Sequence, residues 1–171
     1  MKNLLRSCPP VALTALFLSV APVAGQGAPS LEAWGIAPGG TQAQLQQRIT
    51  AMGGKLLCKT SPVDHRFTEC TAASVRADGR TWDLTASLVG GMSGVLLFRT
   101  ALTESDVKKL RDRWIAAFGR PNLSEHRGEA SYQWIRGGRM LRLTTRSDDG
   151  RADVLVSLIQ GDVLDGIGTA P

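Results

Sequence analysis

The feature that most constrains the fold is a pair of alternating segments, 132–136 and 139–146, separated by Gly137-Gly138. A two-residue hairpin turn needs positive φ angles, which glycine adopts without a steric penalty. Alternation of apolar and polar residues predicts antiparallel strands with one buried face. In this register Trp134 pairs with Leu141, and both face the core.

The same register places polar side chains on the opposite face of the hairpin. Gln133, Arg142 and Arg146 share that face with Thr144. Because guanidinium groups form charge-assisted hydrogen bonds with carboxylates, we predict Gln133, Arg142 and Arg146 as partner-binding residues. The alternative is that this face is only solvated or is covered by other elements of the fold.

Two helices are predicted from caps and apolar spacing. Thr41 caps the first, which ends at Gly53-Gly54. Thr103 caps the second, and Gly119 and Pro121 end it. Their apolar stripes consist of Leu45, Ile49 and Met52 in the first helix and Val107, Leu110, Trp114 and Phe118 in the second.

Further strands are expected at 81–88, 95–100 and 152–160, and the order of elements suggests an internal repeat. Residues 49–53 resemble 115–119, and 78–88 resemble 149–158. We therefore expect an α+β fold of two tandem units, each one helix followed by a three- or four-stranded antiparallel sheet. The units would span 28–101 and 102–171. Chance similarity of short amphipathic segments is the alternative explanation.

Cys58 and Cys70 bracket eleven residues whose flanks resemble two short strands. On an antiparallel hairpin these cysteines would lie opposite each other, at a separation suited to a disulfide. The absence of a CxxC motif argues against a redox pair or a metal site. We predict a structural disulfide formed in an oxidising compartment.

The first 27 residues are predicted to be a secretory signal peptide, with cleavage between residues 24 and 28. Lys2 and Arg6 precede an apolar run at 11–20, followed by small residues. That run is shorter than the roughly 20 residues that cross a bilayer, and no later segment is long enough, so no transmembrane segment is expected after leader removal. The predicted location is the periplasm or the exterior.

The charge of the chain gives little reason to expect a nucleic-acid partner. Removing the leader leaves 18 basic and 15 acidic residues, a charge of +3. An excess of this size is typical of an ordinary solvated surface, and an exported protein seldom meets nucleic acid. We expect no nucleic acid to bind.

No catalytic motif is found, and we expect the protein not to be an enzyme. The histidines, His65 and His126, lie in segments where a turn or strand role is favoured. Gly91-Met-Ser93-Gly94 does not fit the G-x-S-x-G pattern, and adjacent Asp148-Asp149 do not converge as an acid/base pair. No cofactor or metal site is expected.

Two short segments resemble a known family. Ile36-Ala-Pro-Gly39-Gly40-Thr41-Gln-Ala-Gln-Leu45 is similar to the I-x-x-G-M-T-x-x-x-V helix entry of SmpA/OmlA (BamE-like) small envelope proteins, with Gly40 in place of methionine. Phe118-Gly119-Arg120-Pro121 resembles their LG-x-P helix exit. The tandem pattern with a disulfide hairpin is also similar to β-lactamase inhibitor proteins.

These resemblances imply a non-enzymatic exported protein whose sheet contacts another protein. We accordingly expect a binding protein of the cell envelope that recognises a protein or an envelope component. The alternative is a proteinaceous inhibitor of a secreted hydrolase. An inhibitor should present a protruding loop with an exposed aromatic or acidic residue, whereas an assembly module should present a flat sheet with an apolar patch.

Overall fold

A computed structural model describes residues 30–165 of the chain, and its main element is one eight-stranded antiparallel sheet with strand order β1-β2-β3-β4-β8-β7-β6-β5. The elements, in chain order, are α1 (Gln42–Ala51), β1 (Leu57–Thr60), β2 (Phe67–Ala77), β3 (Arg80–Val89), β4 (Met92–Thr103), α2 (Glu104–Phe118), β5 (Asn122–His126), β6 (Glu129–Arg136), β7 (Arg139–Asp148), β8 (Arg151–Gln160) and α3 (Gly161–Asp165). The predicted signal peptide, residues 1–27, lies outside the described residues.

The expected fold of two tandem helix-plus-small-sheet units is wrong. β4 pairs with β8 along nine residues, from Val95 opposite Ile159 to Thr103 opposite Arg151, and this pairing joins all the strands into a single sheet. A helix does precede each run of four strands in the chain. However, the boundary expected between residues 101 and 102 falls inside β4, where the backbone hydrogen bonds are continuous.

The two predicted helices are confirmed, and their caps explain where they begin. Thr41 accepts a hydrogen bond from the backbone of Gln44, whose side chain accepts one from the Thr41 N–H at 2.8 Å. Thr103 accepts from the Asp106 backbone N–H at 3.2 Å. These caps satisfy N–H groups that have no partner within the helix.

One face of the sheet, the inner face, forms the core with both helices. Leu84, Phe98 and Leu158 are fully buried there. Leu45 and Ile49 of α1 and Leu110 and Trp114 of α2 belong to the same cluster of buried side chains. The expected hairpin register is confirmed, since Trp134 pairs with Leu141 and is 4% exposed.

The tryptophans of the described residues form a chain of ring contacts that connects α2 to both halves of the sheet. Trp34 lies 4.6 Å from Trp82 and 6.0 Å from Trp114, measured between ring centroids. Trp114 in turn meets Trp134 edge to face at 6.1 Å. Trp34 reaches this position from a tight turn in which it has a φ of 54° and Ala33 is bridged to Ile36.

The predicted disulfide is confirmed. Cys58 and Cys70 are directly opposite each other on β1 and β2 and form an S–S bond of 2.03 Å. Cys70 is completely buried, so the bond fixes the edge strand β1 to the core of the sheet. Among residues 30–165, no helix has the length and apolar character needed to cross a membrane.

Candidate interaction surface

The face of the sheet opposite Trp134 and Leu141 is here called the open face, because α1 and α2 pack on the inner face. The registers place Val95, Ile159, Met140 and Ile135 in one row across four adjacent strands. The next row contains Leu97, Ser157, Arg142 and Gln133. Cross-strand neighbours of this kind lie roughly 4.5–5.5 Å apart at Cβ, so the two rows form a continuous surface.

The centre of the open face is apolar and partly accessible. Ile135 is 62% exposed, and the side chains of Val95, Leu97, Met140, Leu155 and Ile159 are half-buried. A group of apolar side chains at adjacent positions on an exposed sheet is typical of a contact surface for another molecule. The open face therefore carries partly accessible apolar side chains on four adjacent strands.

Arg142 lies within this apolar centre, directly opposite Gln133 in the register. Its Nη2 donates to Gln133 Oε1 at 3.1 Å and lies 3.6 Å from Met140 Sδ. Its Nε is shielded from solvent and has no hydrogen-bond partner in the part of the chain that the structure describes. The guanidinium is therefore partly desolvated, with one donor left unsatisfied.

Arg146 lies on the same face but in a different electrostatic environment. It is exposed, and its cross-strand partners are Glu129 on β6 and Asp153 on β8. An open cavity of about 730 Å³ at this end of the sheet is lined by Arg127, Arg146 and Arg151 together with Asp148 and Asp153. The structure thus places all three predicted partner-binding residues on one face but separates them into an apolar centre and a mixed-charge end.

Several charged side chains around α2 form ion pairs. Arg113 contacts Asp78 at 2.6 Å, and Arg80 contacts Asp106 at 2.6 Å. Hydrogen bonds from Thr103 and then Arg80 lower the pKa of Asp106 below its usual value. By contrast, none of Arg99, Arg142, Arg146 and Arg151 on the open face comes within 4.0 Å of a carboxylate among the described residues.

The disulfide hairpin ends in a loop at 61–66 that is held by its own hydrogen bonds. Asp64 accepts from Arg66 Nη2 at 2.8 Å and from the Arg66 backbone N–H at 2.9 Å, and these contacts lower the pKa of Asp64. Ser61 Oγ accepts from the backbone N–H groups of Val63 and Asp64. Val63 at the tip is 94% exposed, so the loop presents an apolar side chain on a braced backbone.

The residues considered for catalysis do not converge. His65 is exposed on the disulfide loop, and His126 is exposed at the end of β5. Ser93 is buried and donates to the carbonyl of Gly40 at 3.1 Å. Within residues 30–165, His, Cys, Asp and Glu do not gather into a group of three or more that would hold a metal ion.

The apolar residues of the open face were not predicted from the sequence as a site. Their signal is present in the chain, because 95–98 and 154–159 are almost continuously apolar instead of alternating. Such runs are typical of strands with nonpolar side chains on both faces.

Comparison of the chain with protein-family models, with curated proteins and with solved structures finds no match in any of the three. The resemblances to SmpA/OmlA small envelope proteins and to β-lactamase inhibitor proteins therefore remain predictions from short segments. The geometry of the open face is the basis for the functional argument.

Proposed function

We propose that this is an exported, non-enzymatic binding protein of the cell envelope, which recognises a protein or an envelope component with the open face of its sheet. The observation that carries the proposal is the combination of an accessible apolar centre with arginines that have no ion-pair partner among the described residues. In protein interfaces, the apolar core usually excludes water. The charged groups around it orient the partner.

The disulfide supports the exported location, because disulfides persist in oxidising compartments such as the periplasm and the exterior. The charge of the chain after removal of Lys2 and Arg6 is small, which favours a specific contact surface over general attraction to a polyanion. Recognition by one face of the sheet also agrees with the function implied by the family resemblance.

The test is affinity capture from an envelope extract with the purified protein and two matched variants. Ile135→Asp introduces a charge into the open face, and Ile115→Asp introduces the same charge on the exposed side of α2, where Ile115 is 37% exposed. We expect the first variant to lose its captured partner and the second to keep it. Equal capture by both variants, with unchanged melting curves, would exclude the open face.

Inhibition of a secreted hydrolase is a second candidate function, favoured by the loop at 61–66. Its backbone is braced by the disulfide and by Asp64, and Val63 projects into solvent. The expected exposed aromatic or free acid is missing, since the carboxylate of Asp64 is bound by Arg66. Assays against a panel of secreted proteases and amidases, with Val63→Asp as the loop variant, test this candidate separately from the open face.

A further inference from the structure

We propose that Arg142 is the anchoring cation of the open face, and that it binds a carboxylate presented by an apolar segment of a protein partner. This inference rests on the proposed binding function and assigns a specific role to one of its residues. It also distinguishes Arg142 from Arg146, which is likewise an arginine on the open face of β7.

Carboxylates are distributed unevenly along the sheet. Three other arginines on this face have an acid opposite in the register, although more than 4.0 Å away: Arg99 pairs with Asp83, Arg146 with Asp153 and Glu129, and Arg151 with Asp148. The cross-strand partners of Arg142 are Ser157 and Gln133. Its neighbours two residues away on β7 are Met140 and Thr144, which are also uncharged.

The guanidinium of Arg142 is partly desolvated. Its Nη2 donates to Gln133, and its Nε is buried without an acceptor among the described residues. A partly desolvated cation without a facing acid is costly, and a carboxylate that contacts the accessible part of the half-buried Arg142 side chain would supply the missing negative charge. The planar guanidinium can bind both carboxylate oxygens, and the surrounding low-dielectric surface strengthens that contact.

The rim of the open face indicates the kind of partner. The ends of this face carry acids as well as arginines, including Asp83, Glu129 and Asp153. A rim with charges of both signs around an apolar centre matches a protein interface, whereas binding to an anionic membrane favours a rim of basic residues alone. A second copy docked symmetrically on this centre would bring two Arg142 side chains together without a nearby acid, which like-charge repulsion disfavours.

The experiment uses the purified, ¹⁵N-labelled protein and a blocked pentapeptide, acetyl-Ser-Leu-Asp-Leu-Ser-amide, with its Asn counterpart as the uncharged control. The Arg142 Nε–Hε resonance, assigned with Arg142→Lys, reports directly on the guanidinium. We expect the Asp peptide to shift this resonance saturably and to bind roughly tenfold or more tightly than the Asn peptide, as a charge-assisted contact requires. Arg142→Met should abolish the preference, and Arg146→Met should retain it.

Thermal unfolding of the free variants provides a readout that a merely structural role would not give. Arg142→Met should leave the melting temperature unchanged or raise it, because it removes a cation without a counter-ion. A large fall in melting temperature, or equal binding of the two peptides, would overturn the proposal. A shift of the Arg142 resonance by anionic phosphatidylglycerol vesicles but not by the peptide would also overturn it. The same holds if sedimentation detects a dimer that Arg142→Met stabilises.

The outcomes separate this inference from the proposed function. If Ile135→Asp abolishes partner capture while the peptide preference is absent, the open face binds a partner but Arg142 is not its anion site. If Ile135→Asp leaves capture intact, the open face itself is excluded.

Discussion

Replacement of Trp114 by alanine tests whether α2 holds the two halves of the sheet together. Trp114 is 5% exposed and contacts Trp34 and Trp134, which lie over different parts of the inner face. Its removal deletes these ring contacts and leaves a cavity that rigid neighbouring strands cannot fill completely.

The expected loss of stability follows from the buried area and from the behaviour of large-to-small substitutions. An aromatic side chain buries roughly 150–250 Å², which corresponds to about 4–6 kcal/mol as an upper bound. Aromatic-to-alanine changes in cores typically cost about 3–5 kcal/mol, so we expect Trp114→Ala to lower the free energy of unfolding by about 4 kcal/mol. At roughly 2–4 °C per kcal/mol, the melting temperature should fall by about 8–16 °C.

Urea unfolding followed by far-ultraviolet circular dichroism measures this change as a lower midpoint with an unchanged slope. Ile115→Ala is the matched control, since Ile115 is the next residue of α2 and is 37% exposed. Its effect should be no more than about 1 kcal/mol. A loss of less than about 1 kcal/mol for Trp114→Ala, or an equal loss for both variants, would refute the assigned packing of α2.

Three further changes test other contacts. Cys58→Ser should lower stability by about 3 kcal/mol in the chain-entropy model, and thiol titration of the unreduced, unfolded wild-type protein should detect no reaction at Cys58 or Cys70. Asp106→Asn should reduce the loss of stability on acidification. The pKa of Asp106 in the folded protein lies below its usual 3.8. The ionised carboxylate therefore stabilises the folded protein above pH 3.8, and this contribution is lost as the pH falls through the folded pKa. Gly54→Ala should cost roughly 1–3 kcal/mol, since an added Cβ would lie 2.9 Å from Ile49 Cγ2.

Each of these changes has an outcome that would contradict it, and the changes at Asp106 and Gly54 also have a control variant. One or two reactive thiols in the exported protein would contradict the disulfide prediction. Asp149→Asn, on an exposed turn, controls for the loss of a carboxylate. If both variants change the loss of stability at low pH equally, Asp106 has no special role. Gly40→Ala would meet only the flexible Gln44 side chain, so an equal cost at both glycines would contradict the close approach at Gly54.

The sequence predicts local structure well because caps, turns and alternation are encoded by neighbouring residues. Thr41 and Thr103 begin helices, Gly137-Gly138 makes the turn, and Cys58 pairs with Cys70. The register then follows from the turn, so Gln133 and Arg142 were correctly placed on one face.

The joining of the strands into one sheet was not predictable in the same way. The pairing of β4 with β8 brings together residues such as Val95 and Ile159, which are distant in the chain. Alternation within a strand shows which side chains face the core, but it does not identify which other strand edge supplies the hydrogen bonds. β5 was missed because every one of its residues is exposed, which leaves no apolar alternation.

The site was predicted only in part for a related reason. The polar residues of the hairpin were identified from one register, whereas the apolar centre depends on Leu97 and Ile159 from strands whose position was unknown. The difference between Arg142 and Arg146 depends on acids contributed by other strands, so it too required the sheet order.

Site-specific photocrosslinking tests the central claim, which is that the open face is the contact surface. A benzophenone amino acid placed at Leu97 would report on the centre of the open face, and the same group at Ile115 would report on the exposed side of α2. With envelope extract, we expect a discrete crosslinked partner from the Leu97 position and none from Ile115. Crosslinks of equal yield from both positions, or from Ile115 alone, would contradict it.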